Sequence, residues 1–130
     1  MTRHTVATIV ALASGKDPAG IAVIRLSGPL AYAISLKVTG HDRLEHRLAT
    51  WSVFTAIDDQ PIDQGLCLFF RGPHSFTGDD VCEWHLHGGR WIVKQAITTA
   101  INHGARLAHP GEFSERAFFA GKMDLVQAEA

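Results

Sequence analysis

The sequence predicts a single α+β domain, with a mixed sheet of about five strands and helices packed on it. Two observations lead to this class. Short apolar or alternating runs, which are typical of strands, are interleaved with longer segments in which apolar residues recur at helical spacing. The chain has 130 residues, a length that suits one domain with a buried core of its own.

The first half of the chain predicts two strands and a helix. Residues 5–13 are rich in small and β-branched residues, which favours a strand, and 14–20 form a loop. Residues 21–27 are apolar on both faces and predict a central strand. The following helix has Pro29 at its first position and Gly40 at its C-terminal stop. Its predicted buried stripe consists of Leu30, Ala33, Ile34 and Val38.

The second half begins with a predicted hairpin and an alternating strand. "TWSVFTAI" and "QGLCLFF" flank the turn-forming segment "DDQPID". A longer loop, "RGPHSFTGDD", leads into a strand at 81–87. In that strand, alternation places Val81, Glu83, His85 and His87 on one face, and Cys82, Trp84 and Leu86 on the other.

The remaining sequence predicts helices. One follows "HGG" and ends at Gly104, and a short one covers 111–121. Their predicted buried residues are Ile92, Val93, Ala96, Ile97, Ala100 and Ile101 in the first, and Phe113, Ala117 and Phe118 in the second. Asp124 and Gln127 have the spacing of a capping box, so another helix is predicted to begin there. Because six residues follow Asp124, this helix is expected to continue into a region that has been removed.

Composition limits the classes of function. The chain is 46% hydrophobic and 19% charged, as globular proteins are, and its net charge of -1 provides no electrostatic footprint for nucleic acid. Cys67 and Cys82 fall in apolar, strand-like runs without metal-site spacing, so buried thiols are expected. Neither a secretion signal nor a membrane-spanning run is recognised. A cytoplasmic location with no membrane partner is therefore predicted.

Four motifs carry a family resemblance. "GIAVIRLSGP", "FTGDDVCEWHLHGG", "HPGEFSERAF" and "GKMDLVQAEA" occur in order and with fitting spacing along nearly the whole chain. Together they resemble the N-terminal domain of the MnmE (TrmE) family of tRNA-modifying GTPases. The chain departs from the family pattern in the loop 14–20 and at His85, Leu86 and Ala120.

The resemblance implies a fold, a ligand and partners. It implies the folate-binding fold of aminomethyltransferases, with 1–122 as an N-terminal folate-binding and dimerisation domain and 123–130 as the truncated start of a helical domain. The bound cofactor would be a tetrahydrofolate derivative in the 5-formyl or methylene form. The whole protein would hydrolyse GTP in a G domain that holds Mg²⁺ and K⁺. The fragment contains no GxxxxGK[ST] phosphate loop, so no GTP site is predicted in it.

The implied partners follow from the same family. Members form homodimers and act with a flavin-binding partner, MnmG (GidA), to modify the wobble uridine of tRNA at carbon 5. The fragment by itself is expected to bind the one-carbon carrier without catalysing the reaction. Two alternatives remain open: a free-standing folate-dependent aminomethyltransferase-like enzyme, and a dimerisation module with a vestigial pocket.

Three residues match the family's folate contacts: Arg25, Glu83 and Lys122. Arg25 lies in an apolar strand and must be paired or reach a ligand, and an ion pair with Glu83 is the structural alternative. The Glu83 carboxylate suits the adjacent amino group and ring NH of a pterin, although a strand glutamate can also face solvent. Lys122 suits the carboxylates of the folate tail, although a loop lysine is commonly just solvated.

No catalytic or metal-binding residue is predicted. His85 and His87 share a strand face, but two histidines without a third ligand indicate a metal only weakly. The "HGG" segment leaves backbone N–H groups at a helix start, where an anion could bind, but a tight turn is the simpler interpretation.

Overall fold

The structure is a computed structural model that describes residues 6–14 and 20–122. Its strands are β1 (Ile9–Leu12), β2 (Ile21–Ser27), β3 (Thr50–Thr55), β4 (Pro61–Phe70), β5 (Val81–His87) and β6 (Arg106–Leu107). Its helices are α1 (Ala31–Thr39), α2 (Arg90–Asn102) and α3 (Glu112–Phe119). The predicted α+β class is confirmed.

The strands form one mixed sheet in the order β3-β4-β5-β2-β1-β6. Neighbouring strands are antiparallel except for β1 and β6, which are parallel. The central position predicted for 21–27 is confirmed, because β2 lies between β5 and β1. The sheet has six strands rather than about five: β6 is only two residues long and too short for a pattern to reveal it.

The core lies between the sheet and the two helices α1 and α2, which both pack on the same face. The largest fully buried side chains include Trp84 on β5, Phe54 on β3 and Phe69 on β4. The Trp84 indole donates a hydrogen bond from Nε1 to Oγ of Ser35 at 2.9 Å, which satisfies the one polar atom of this buried ring. Cys67 and Cys82 are buried free thiols in this core, as predicted.

Helix α1 starts later than the sequence predicts. Pro29 precedes the N-cap residue Leu30, so the prediction of Pro29 as first helical position was wrong. The N–H of Leu30 donates to Oγ1 of Thr8 at 2.8 Å, so a side chain just before β1 anchors the helix start from outside. The C-terminal stop at Gly40 is confirmed by its left-handed conformation.

The buried stripes of α1 and α2 also differ in part from prediction. In α1 the buried residues are Ala31, Ile34, Ser35 and Val38, whereas Leu30 and Ala33 are exposed. In α2, Ala96 and Ala100 are buried as predicted, but Ile101 is 42% exposed. The helix ends at Asn102, two residues before Gly104.

Among the residues that the structure describes, no long helix packs on the other face of the sheet. The alternation predicted for β5 is confirmed: Cys82, Trp84 and Leu86 enter the helix-covered core, and the remaining side chains lie opposite. Short helix α3 follows β6, with Ala117 buried and Gly121 in the left-handed conformation just after its end. The predicted helix start at Asp124 lies outside the described residues. Within 6–14 and 20–122, no helix is long and apolar enough to cross a membrane.

Candidate ligand-binding site

Arg25 and Glu83 form an ion pair in the middle of the sheet face opposite α1 and α2. They are cross-strand partners on β2 and β5. The guanidinium donates from Nε and Nη2 to the single oxygen Oε2 of Glu83, at 3.0 and 2.9 Å. The side chains are 25% and 17% exposed, so the pair is accessible from one side. The structure therefore brings two of the three predicted residues into direct contact, and also bears out the structural alternative of an Arg25–Glu83 pair.

Two aromatic rings flank this guanidinium. Its carbon Cζ lies 5.3 Å from the ring centroid of Phe76 in the β4–β5 loop. It lies 5.8 Å from the centroid of Phe113 on α3. Such contacts hold the guanidinium through the negative faces of the rings and shield it from water. Sequence analysis assigned Phe113 only to packing and gave no role to Phe76.

The loop that carries Phe76 is anchored on both sides. The Thr77 hydroxyl is buried and bonds to the Ser27 hydroxyl at the end of β2, with 2.7 Å between the oxygens. Gly78 has φ of +85°, and a Cβ at this position would lie 2.8 Å from Cβ of Ala120. Only glycine fits this approach of the loop to the residue after α3. The "FTG" segment thus fixes the ring of Phe76 beside Arg25.

His85 contacts the other oxygen of the same carboxylate. Its Nε2 lies 3.0 Å from Oε1 of Glu83. In the sheet register His85 is flanked by Val23 on β2 and Leu66 on β4. Sequence alternation placed His85 and Glu83 on one face but did not indicate that the ring leans along the strand to reach the carboxylate.

His87 belongs to a different pair. Its backbone N–H donates to Oδ2 of Asp63 at 2.8 Å, and its Nδ1 lies 3.0 Å from the same oxygen. Burial raises the pKa of Asp63, but the hydrogen bonds from His87 outweigh that effect and the pKa is lowered. His85 and His87 therefore contact separate carboxylates. Within the described residues, no group of three or more His, Cys, Asp or Glu side chains could hold a metal ion.

A second charged network anchors α3. The Arg106 guanidinium donates to both carboxylate oxygens of Glu112, at 2.8 and 2.7 Å, and the N–H of His109 donates to Oε1 at 2.9 Å. The hydrogen bond from Arg106 lowers the pKa of Glu112 to about 2. Arg116 donates to the backbone oxygens of Ser27 and Ala7, at 3.2 and 2.7 Å. Glu112 and Arg116 of "PGEFSER" thus fasten α3 to the sheet.

Lys122 stands apart from the Arg25–Glu83 pair. Its side chain is exposed, and its backbone N–H donates to the oxygen of Ala117 at 2.8 Å just after α3. Among the described residues, no hydrogen bond or ion pair joins Lys122 to Arg25 or Glu83. It does lie close in sequence to Ala120, which meets the Phe76 loop at Gly78.

An open cleft of about 340 Å³ lies in the β4–β5 loop. Its lining residues are Gly72, Pro73, Gly78, Asp79 and Asp80. It is lined neither by Arg25 nor by Glu83. The ion pair therefore sits on the sheet face beside the loop, and its chemistry rather than this cleft defines the candidate site.

These features define an α+β domain whose candidate site lies on the sheet face opposite α1 and α2. Residues 8–122 match the family described as GTP-binding protein TrmE N-terminus. The chain belongs to this family.

Curated relatives agree with the family match. The chain is 50% identical over 123 residues to the tRNA modification GTPase MnmE of Legionella pneumophila (strain Corby), which covers 95% of the chain and 28% of that protein. The MnmE of Xylella fastidiosa (strain 9a5c) is also 50% identical, over 95% of the chain and 27% of that protein. That of Campylobacter concisus is 46% identical, over 95% of the chain and 28% of that protein. The chain thus spans little more than a quarter of the length of these relatives.

Proposed function

We propose that this chain binds a reduced folate, as part of a GTPase that modifies tRNA. The relatives are named as tRNA modification GTPases, and the chain matches their N-terminal portion. The observation that carries the folate part is the Arg25–Glu83 pair, accessible on an open sheet face between two aromatic rings. The bound cofactor is a tetrahydrofolate in the 5-formyl or methylene form.

The pair suits the pterin end of such a ligand. A pterin presents an amino group and a ring NH, both donors, followed by a carbonyl acceptor. A carboxylate accepts from both donors, and a guanidinium N–H can donate to the carbonyl. Glu83 and Arg25 lie side by side in this acceptor–donor order along one row of the sheet. Phe76, 41% exposed, offers its ring to the flat heterocycle.

Lys122 suits the opposite end of the ligand. The folate tail ends in carboxylates, and an exposed ammonium after α3 can attract them through solvent. Its contribution is accordingly small and sensitive to salt.

The whole protein is proposed to act with further components. GTP, with Mg²⁺ and K⁺, binds in a G domain that belongs to the part of the relatives not matched by this chain. The flavin-binding protein MnmG (GidA) and tRNA are the other partners, and the reaction takes place in the cytoplasm at carbon 5 of the wobble uridine. This chain supplies the one-carbon carrier.

A homodimer is part of the same proposal. Trp51 on β3 is 60% exposed and pairs in register with Leu66 on β4, which is also exposed. Val53, also exposed, continues this apolar row on β3. A second copy that covers the row would remove it from water. Sedimentation equilibrium at micromolar concentration should give a dimer, and a monomer at all concentrations would contradict the proposal.

Calorimetric titration of the 130-residue chain with 5-formyltetrahydrofolate tests the binding. We expect saturable binding at one site per chain, weakened by Glu83→Gln and unchanged by Glu115→Gln, an exposed glutamate on α3. A dimer that binds no folate would favour the dimerisation module with a vestigial pocket. Aminomethyl transfer catalysed by the chain alone would favour the free-standing enzyme.

A further inference from the structure

We infer that His85 is a positioning residue of the proposed folate site, which holds the Glu83 carboxylate in the orientation that a ligand requires. The inference rests on the proposed function. Its physical basis is the division of one carboxylate between two protein partners: Arg25 takes Oε2, and His85 takes Oε1 at 3.0 Å. Neither partner alone fixes both oxygens.

The count of lone pairs shows what this division leaves for a ligand. An ionised carboxylate has about four acceptor positions, two on each oxygen. Two N–H groups of Arg25 occupy Oε2, and the imidazole occupies one position on Oε1. Within 6–14 and 20–122, these hydrogen bonds leave one position open, on Oε1 next to the imidazole. The first donor of a ligand therefore binds beside His85.

A second ligand donor is accommodated by Arg25. One of its two N–H groups on Oε2 can turn to the neighbouring acceptor of the ligand, which frees a position on that oxygen. Each of the four acceptor positions of the Glu83 carboxylate is then occupied by one donor: His85 and a ligand donor on Oε1, and Arg25 and a ligand donor on Oε2. His85 keeps Oε1 from rotating towards the guanidinium while this exchange takes place.

The surroundings of His85 support a fixed ring. Val23 and Leu66 flank it in the register of the neighbouring strands, so apolar side chains stand on either side of the imidazole. The side chain is 31% exposed, comparable with Arg25. With Glu83 ionised, Nε2 must carry the proton that it shares with Oε1, which selects one tautomer in the neutral ring.

Substitutions separate positioning from packing. His85→Leu keeps an apolar body and removes the donor, and we expect affinity for 5-formyltetrahydrofolate to fall about tenfold. His85→Gln keeps an N–H at the position of Nε2, and affinity should return to within about threefold of the unaltered chain. In a Glu83→Gln background, His85→Leu should cause no further loss, because the carboxylate it positions is gone. His87→Leu is the matched control, since that ring bonds to Asp63.

The outcomes distinguish this inference from the proposed function. An unaltered chain that binds no folate overturns both. Folate binding that persists undiminished in His85→Leu, or becomes tighter, overturns the positioning role alone, and tighter binding would identify His85 as a competitor for Glu83. Equal losses in His85→Leu and His85→Gln, with equal losses of thermal stability, would reduce the residue to packing and also overturn it.

Discussion

Two arginine–glutamate networks in this domain are built from similar side chains and have different surroundings. The Glu112 carboxylate is held by Arg106 and by a backbone N–H, and the neighbouring Arg116 donates to two backbone oxygens. Among the described residues, the partners of the Glu83 carboxylate are side chains, those of Arg25 and His85. Backbone partners make the first network part of the fold, whereas the second retains an open acceptor position towards solvent.

A charged motif that is prominent in the sequence need not be available to bind a ligand. "PGEFSER" is the most conspicuous charged motif, yet its Glu112 and Arg116 fasten α3 and are little exposed. Arg25 and Glu83 lie in largely apolar strands and form no charged motif in the sequence. They remain accessible because, in the described part of the chain, no long helix covers the face they share. The contribution of "PGEFSER" to the candidate site is Phe113, whose ring flanks Arg25.

The largest expected effect is on stability in the α3 network. Arg116→Ala should lower the free energy of unfolding by about 3 kcal/mol, because two backbone oxygens lose their donor and the little-exposed carboxylate of Glu112 loses one of its cationic partners. Urea denaturation measures this loss. Arg43→Ala is the control, since that side chain is 77% exposed. Arg25→Ala should cost less than Arg116→Ala, and an equal or larger loss would remove the contrast between the networks.

The next effect is the dependence of stability on pH. The folded-state pKa of Glu112 is about 2, below its ordinary 4.5, because Arg106 stabilises the carboxylate. The unfolded chain therefore takes up a proton as pH falls from 4.5 towards 2, and the folded chain does not. The stability contributed by Glu112 is fully present above about pH 4.5 and is lost through that window.

Thermal melts between pH 2 and 6 test this dependence. Glu112→Gln should lower the melting temperature near pH 6 and flatten its acid dependence. Glu115→Gln, at an exposed position of the same helix, should leave the acid limb as it is. An unchanged acid limb in Glu112→Gln would show that another carboxylate governs the transition.

A smaller effect is expected on ligand affinity at Glu83. Glu83→Gln replaces one acceptor oxygen by a donor, so binding of 5-formyltetrahydrofolate should weaken by about 1–3 kcal/mol. Calorimetry measures the affinity, and a thermal melt of the same variant verifies folding. Full affinity in a folded variant would show that the network on the open face is structural like the other one.

The smallest effect belongs to Lys122. Lys122→Ala should weaken folate binding by less than about 1 kcal/mol, and the difference should shrink as salt is added, because the ammonium is exposed. Titrations at two salt concentrations reveal it. A loss larger than that of Glu83→Gln, or one independent of salt, would place Lys122 in an enclosed contact with the ligand.

The sequence predicted those elements whose pattern is local. Strands β2 and β5 have the predicted bounds, because apolar runs and alternation depend only on neighbouring residues. The start of α1 was misplaced because its anchor, Thr8, is distant in sequence and lies just before β1. Strand β6 was missed because parallel pairing with β1, not its own composition, defines it.

The site was predictable to a similar extent. The pairing of Arg25 with Glu83 was anticipated as an alternative to ligand binding, since each residue lies in an apolar strand. The position of Phe76 depends on the distant pair Ser27 and Thr77, and no local pattern reveals it. The contact of His85 with Glu83 depends on the direction of one side chain, which alternation leaves undetermined.

The parallel pairing of β1 with β6 has a consequence for synthesis on the ribosome. Strand β1 is translated before β6. Its outer edge is paired once β6 is present, when the backbone N–H of Arg106 donates to the backbone oxygen of Thr8 at 2.9 Å. The backbone oxygen of Ala7 accepts a hydrogen bond from Arg116, which is 109 positions away in sequence. Contacts this distant slow folding. During synthesis the outer edge of β1 therefore stays unpaired until β6 and α3 have emerged from the ribosome. Chaperones have most to protect in this interval.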